Sequence, residues 1–228
     1  MLLHVTGVLG IDEVGEVRRA LDGAKWADGR LTAGYQSAVA KDNRQTVEGD
    51  PVVAELGARL IARLERHSTF FAAALPRRIF PPLFNRYADK QSFGMHVDNA
   101  IRYDRSGTDA IPVRTDLAAT LFLQAPEDYD GGELVIDDTY GEHAVKLPPG
   151  DLVLYPASSL HRVTPVSRGE RIAAFFWMQS LIRDDAQRRL LFDLDLSIQS
   201  LTRQLPLSPD LVRLTAVYHN LLRQWAET

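Results

Sequence analysis

The chain has 228 residues, 45% hydrophobic and 25% charged, enough to bury one sizeable core. With 26 Lys and Arg against 30 Asp and Glu, the net charge of −4 is too mild, and the basic residues too scattered, for a nucleic-acid surface. The absence of cysteine excludes disulfides, thiolate catalysis and cysteine-ligated zinc or iron–sulfur centres.

The opening Met1-Leu2-Leu3-His4-Val5 carries no basic segment and soon meets Asp12 and Glu13, so no secretory signal is expected. No apolar run approaches the roughly 18–20 residues of a membrane span, and the expected location is the cytoplasm. Three zones follow, 1–76, 77–180 and 181–228. In the first, Val14, Val17 and Leu21 recur at helical spacing. Asp50-Pro51 then caps a stronger stripe of Val53, Leu56, Leu60, Ile61 and Leu64, which must end before Pro76. The second zone changes period. Short apolar runs at Leu83–Tyr87, Met95–Val97, Leu117–Leu123, Leu134–Ile136, Ala144–Leu147, Leu152–Tyr155, Arg162–Thr164 and Ile172–Met178 alternate with Gly/Pro/Asp turns. Without helices between them, they predict an antiparallel sandwich or barrel. Residues 100–114 read as a Gly/Asp-containing loop that could cover a substrate. The third zone predicts two helices, one with Leu190, Leu194, Ile198 and Leu201, the other opening at Ser208-Pro209 with Leu211, Leu214, Tyr218, Leu221, Leu222 and Trp225. These stripes pack on the β zone or form a homodimer contact.

Of six histidines, His96 alone has a carboxylate two residues away on a predicted strand, Asp98, and side chains at i and i+2 leave the same face. Read alone, this is either a surface His–Asp pair or part of a metal site. His161, late in the same β zone, can supply a third ligand in a rolled-up sheet. Two imidazoles and one carboxylate leave open positions on a metal, the pattern of non-haem Fe(II) oxygenases. Arg171 opens the next strand, ahead of an apolar run that looks buried on both faces, so it requires an anionic partner. His4, His67, His143 and His219 read as structural, Thr120, Phe175, Phe176 and Trp177 as core. Asn99 reads as a turn residue or a substrate contact, and Glu133 as a solvated strand edge.

The stretches Phe84-Asn85-Arg86-Tyr87, Phe93-Gly94-Met95-His96-Val97-Asp98-Asn99-Ala100-Ile101, Tyr129-Asp130-Gly131-Gly132-Glu133-Leu134 and Gly150-Asp151-Leu152-Val153-Leu154-Tyr155-Pro156 resemble the Fe(II)/2-oxoglutarate-dependent dioxygenases of the prolyl-4-hydroxylase-like branch, and among them the PKHD-type hydroxylases. The resemblance implies an α+β protein. Its core would be a double-stranded β-helix, or jelly-roll, at 77–180, with N-terminal helices at 1–76 and a C-terminal helical pair at 181–228. It further implies iron held by His96, Asp98 and His161, and 2-oxoglutarate chelating the metal with its distal carboxylate on Arg171. Tyr87 is either the tyrosine that hydrogen-bonds the co-substrate or a core tyrosine. O2 is the oxidant, ascorbate the expected reductant, and the product a hydroxylated small molecule or peptide, with a siderophore-related substrate among the options. Neither nucleic acid nor membrane is an expected partner. The rival readings are a cupin-like metal-dependent hydrolase or isomerase on the same ligands, and a non-catalytic metal or 2-oxoglutarate sensor.

Overall fold

The computed structural model describes residues 1–32 and 34–228, and the side chains of these except at 32, 35 and 36. Its N-terminal part runs β1 (Leu3–Val5), α1 (Ile11–Leu21), β2 (Trp26–Asp28), α2 (Tyr35–Ala40), β3 (Lys41–Asp42), β4 (Arg44–Thr46), α3 (Pro51–Arg66) and α4 (Ser68–Ala74). The start of α3 follows from local chemistry. The Asp50 carboxylate accepts from the backbone N–H groups of Val52 and Val53, and Pro51 fills the first turn, where no amide is needed. Val53, Leu56, Leu60 and Leu64 are then buried on one face. Helix α3 stops at His67, which caps α4 by accepting from Phe70 N–H at 3.3 Å while its other nitrogen donates to Thr6 O at 3.0 Å.

The middle of the chain is β-rich: β5 (Pro76–Ile79), β6 (Leu83–Tyr87), β7 (Ser92–His96), β8 (Ile101–Asp104), β9 (Ile111–Arg114), β10 (Leu117–Phe122), β11 (Asp130–Gly131), β12 (Leu134–Asp138), β13 (Gly141–Val145), β14 (Leu152–Pro156), β15 (Leu160–Val163), β16 (Val166–Arg168) and β17 (Arg171–Ser180). One antiparallel sheet has the order β1-β14-β10-β17-β6-β4-β2, with β5 also on β17; the facing sheet has the order β13-β12-β15-β7-β3. The N-terminal segment is thus woven into both sheets. Strand alternation divides the core. Leu117, Ala119 and Leu121 of β10, with Leu152 and Leu154 of β14, face α1, α3 and α4. Ala118, Phe122, Val153 and Tyr155 face the second sheet. Because β10 is covered on both faces, its sequence is apolar nearly throughout. The architecture is an α+β jelly-roll with flanking helices.

Residues 101–114, expected as a loop, form a hairpin: β8 pairs β9 from Ile101↔Arg114 to Asp104↔Ile111. At the C-terminus, α5 (Asp185–Gln204) and α6 (Pro209–Trp225) pack on Leu75, Ile182 and Leu191 through Tyr218, Leu221, Leu222 and Trp225. The expected stripe of α5 is out of phase at one end. Leu190 is 59% exposed, and the buried face carries Arg188, Leu191 and Phe192 instead. The reason is a polar anchor. Arg188 donates to Ile182 O at 2.7 Å and to Asp185, whose carboxylate also receives the Met1 ammonium at 2.6 Å, and this network sets the rotation of the helix.

Candidate active site

The two histidines face each other across a strand pair. In the β7–β15 ladder His161 is opposite His96, and Val163 opposite Phe93, so β7 holds one extra residue. This bulge, beside Gly94, re-aims the end of the strand. A side chain at Gly94 would press on Ala40 of α2, its Cβ only 3.0 Å from that of Ala40. The His96 ring stacks on Phe93 with centroids 3.5 Å apart, and His161 meets Tyr155 edge-on at 5.3 Å.

Asp98 lies past the end of β7, not within the strand as its spacing suggested, yet it converges with both histidines. Its Oδ1 is 3.9 Å from His161 Nε2, and ligand atoms of His96, Asp98 and His161 all lie within 4.8 Å of one another. Donors each about 2.1 Å from a shared ion lie no more than about 4.2 Å apart, a limit the Asp98–His161 pair meets. His96 Nδ1 donates to Gly94 O at 2.8 Å and His161 Nδ1 to Ser159 O at 3.0 Å. A carbonyl only accepts, so both Nδ1 atoms carry protons and both Nε2 lone pairs are available to a metal. Burial, with His161 beside it, holds the His96 imidazole down to about 3, hence neutral. Burial pushes the Asp98 carboxyl up, and its Oδ2 is buried without a hydrogen-bond partner. A divalent cation satisfies each of these groups, so the residues fit a metal.

Arg171 opens β17 opposite Tyr87 of β6, at the far end of the same cavity. It is 1% exposed. Its guanidinium lies 5.5 Å from the ring centre of Tyr87 and 5.3 Å from that of Phe122, and donates to Asn85 Oδ1 at 3.2 Å. Its Nε has no acceptor, and no carboxylate of a described residue pairs with it. A buried cation in this position calls for an anion from outside the chain. Tyr87 is buried, and the loss of solvent raises its hydroxyl to about 12, so it stays a donor.

The cavity measures about 800 Å³, including its open mouth, and is lined by all five residues singled out from the sequence. It also recruits residues expected to be core. Thr120, Phe175 and Trp177 line it, because every second residue of β10 and β17 points between the sheets. Asn99 lines it too, while its carbonyl accepts from Thr115. Glu133 is held by Thr164, away from the cavity. The other histidines have structural partners: His4 with Asp151 at 2.7 Å, His143 with Asp138 at 3.2 Å, and His219 against Tyr218. Sequence reasoning missed Asn85, Lys41 and Arg102. Asn85 was legible, two residues before Tyr87 and therefore on the same face. Lys41 comes from a two-residue polar strand with no apolar pattern to mark it, and Arg102 from a strand whose residues read as part of a loop.

Residues 82–179 match the family model of the 2OG-Fe(II) oxygenase superfamily, which gives the class. Residues 185–227 match the PKHD-type hydroxylase C-terminal domain, so the closing helical pair is a family feature. A PKHD-type hydroxylase of Xanthomonas campestris pv. campestris (strain B100) is 63% identical over 227 residues, covering 100% of both chains. One of Pseudomonas aeruginosa (strain LESB58) is 57% identical over the same span, again covering 100% of both. The chain belongs to the PKHD-type hydroxylases. It is a hydroxylating dioxygenase that uses iron(II) and 2-oxoglutarate. Among solved structures, a Pseudomonas putida prolyl-4-hydroxylase has a TM-score of 0.51 at 21% identity, covering 78% of this chain and 92% of that one. HygX from Streptomyces hygroscopicus, with nickel and 2-oxoglutarate bound, has a TM-score of 0.56 at 17% identity, covering 79% and 84%. Both share the fold. No described helix is long and apolar enough to cross a membrane.

Proposed function

We propose that His96, Asp98 and His161 hold the iron, that Arg171 binds the distal carboxylate of 2-oxoglutarate with Tyr87 beside it, and that the enzyme hydroxylates a small molecule or peptide. Iron(II) bound there supplies the oxidising chemistry, in which O2 converts 2-oxoglutarate to succinate and CO2 and leaves one oxygen atom in the hydroxylated product. The protein's part is placement. The two Nδ1–H···O=C bonds fix both imidazoles with Nε2 inward. Asp98 adds one negative charge, so a ferrous ion keeps a net positive charge that draws the keto-acid end of 2-oxoglutarate. Arg171 anchors the other end, and the aromatic lining keeps bulk water from the reacting C–H bond.

The observation that carries this reading is Arg171, a fully buried guanidinium without a carboxylate partner in the same cavity as the three-ligand cluster. A buried guanidinium there supports a co-substrate with an anionic tail, as 2-oxoglutarate has. Calorimetric titration of 2-oxoglutarate into the anaerobic Fe(II) enzyme tests the assignment. Losing a buried ionic contact costs about 2 kcal/mol or more, so Arg171→Met raises the dissociation constant about 30-fold or more and leaves Fe(II) affinity close to that of wild type. Unchanged 2-oxoglutarate affinity would remove Arg171 from the site.

A further inference from the structure

Away from Arg171, cations and aromatic rings alternate along the cavity wall. The Lys41 ammonium lies 5.2 Å from the centre of the Phe93 ring and 5.9 Å from that of Phe175. Phe175 meets Trp177 edge-on at 5.5 Å, and the Arg102 guanidinium stands 4.2 Å from the Trp177 ring. Both cations are buried well beyond what their residue types tolerate on a plain surface. Lys41 is 7% exposed, and the side chain of Arg102 is 14% exposed. Lys41 donates to Gln45 Oε1 at 2.8 Å and Arg102 to Glu48 Oε1 at 3.0 Å, while Arg102 Nε is buried with no acceptor. They are close enough to repel: burial first, then Arg102, brings the Lys41 ammonium down to about 8.

The metal ligands and the 2-oxoglutarate anchor proposed above make no use of these two cations. Arg171 and Trp177 are six residues apart on β17, about 20 Å along an extended strand and well beyond the reach of a five-carbon diacid. The charges also fail to close. Among the described lining residues the cations Lys41, Arg102 and Arg171 outnumber the one anion, Asp98; Glu48 neutralises one more from behind Arg102, and Asp28, which also acts on Lys41, is itself paired with Arg30. Iron(II) and the 2-oxoglutarate dianion add equal and opposite charge. One positive charge is left over on this wall.

We propose that Lys41 and Arg102 form the docking point for a carboxylate of the substrate to be hydroxylated, whose carbon skeleton lies against Phe93, Phe175 and Trp177. This rests on the function proposed above and names its substrate class, a small molecule or peptide bearing a free carboxylate near the C–H bond. The single surplus charge matches a carboxylate; a phosphate dianion would overshoot it. Arg102 supplies a planar fork with Nε and one further amino group, and Lys41 a point charge beside it.

The test uses the anaerobic complex of the enzyme with Fe(II) and saturating 2-oxoglutarate, into which 3-phenylpropanoate or 3-phenylpropanamide is titrated by calorimetry. The acid is expected to bind at least about tenfold more tightly than the amide, a preference of about 1.4 kcal/mol. That preference disappears in Arg102→Gln and in Lys41→Gln. An acid that binds no tighter than its amide, including no detectable binding of either, overturns the proposal, and so does a preference that survives both substitutions. Titrating 2-oxoglutarate first separates the two claims. A wild-type enzyme that takes up none refutes the function proposed above, whereas normal uptake without acid preference refutes only the docking point. Uptake also reports whether each variant is folded, and the wild-type comparison decides the matter by itself if one is not.

Discussion

A carboxyl buried beside two imidazoles, with one oxygen lacking any donor, is costly as an anion until a cation joins it. Asp98 is such a group, and its raised pKa has burial as its main cause. Asp98→Asn therefore raises the stability of the metal-free protein by about 1–3 kcal/mol at pH 7 while abolishing Fe(II) binding. The gain fades as pH falls through the raised value toward 3.8, where the wild-type carboxyl is protonated in both states. Thermal unfolding with and without Fe(II) checks both halves; a variant less stable than wild type without metal would contradict the reading. Lys41 behaves alike with the opposite charge. Its ammonium, near Arg102 and facing Asp98, His96 and Asp28, is lowered from 10.5 to about 8. Between those values the unfolded chain binds more protons than the folded one, so the penalty is full below about pH 8 and gone by about 10.5. Lys41→Met is thus expected to stabilise by about 1–3 kcal/mol at neutral pH, with the gain shrinking through that window. Urea unfolding at pH 7 and pH 10 measures it, and a gain that grows with pH would refute it.

Strands with an apolar pattern were legible and strands without one were not. All eight expected strands are present, Leu83–Tyr87 with the same ends; six of them bury residues, whereas β7 and β13 are only half-buried. β3 and β4, by contrast, read Lys-Asp and Arg-Gln-Thr, and only pairing with β7 and β6 makes them strands. The 101–114 hairpin escaped notice because its turn signals resemble those of an open loop, and Pro112 lowers its strand character. His96, Asp98, His161, Arg171 and Tyr87, singled out from spacing and resemblance, line one cavity. Thr120 and Trp177, read as core, are buried, and Phe175 packs against the core, but all three also line the cavity, a second role that shows only once the facing sheet is placed. The C-terminal pair is anchored by a small apolar cluster around Leu191, which is fully buried. Leu191→Ala is expected to cost about 2–4 kcal/mol of stability, and denaturant unfolding reads it directly. A loss below about 1 kcal/mol would mean that α5 is not docked as described.

At the scale of the whole molecule, the jelly-roll brings together what the chain keeps apart. β7 and β15 carry the two imidazoles, β17 the arginine, and the short strands β3 and β8 the two further cations of the cavity wall. Helices α1, α3 and α4 cover the outer face of the large sheet, and α5 and α6 close one side, leaving the inner faces of both sheets to line a single cavity. The central claim is that the three ligands and Arg171 present one ferrous ion to one chelated keto acid. The most direct measurement is the visible absorption of the purified protein mixed with Fe(II) and 2-oxoglutarate without oxygen. A weak metal-to-ligand charge-transfer band is predicted for wild type and none for His161→Ala. No band in wild type, or one that persists after His161 is replaced, would contradict the account.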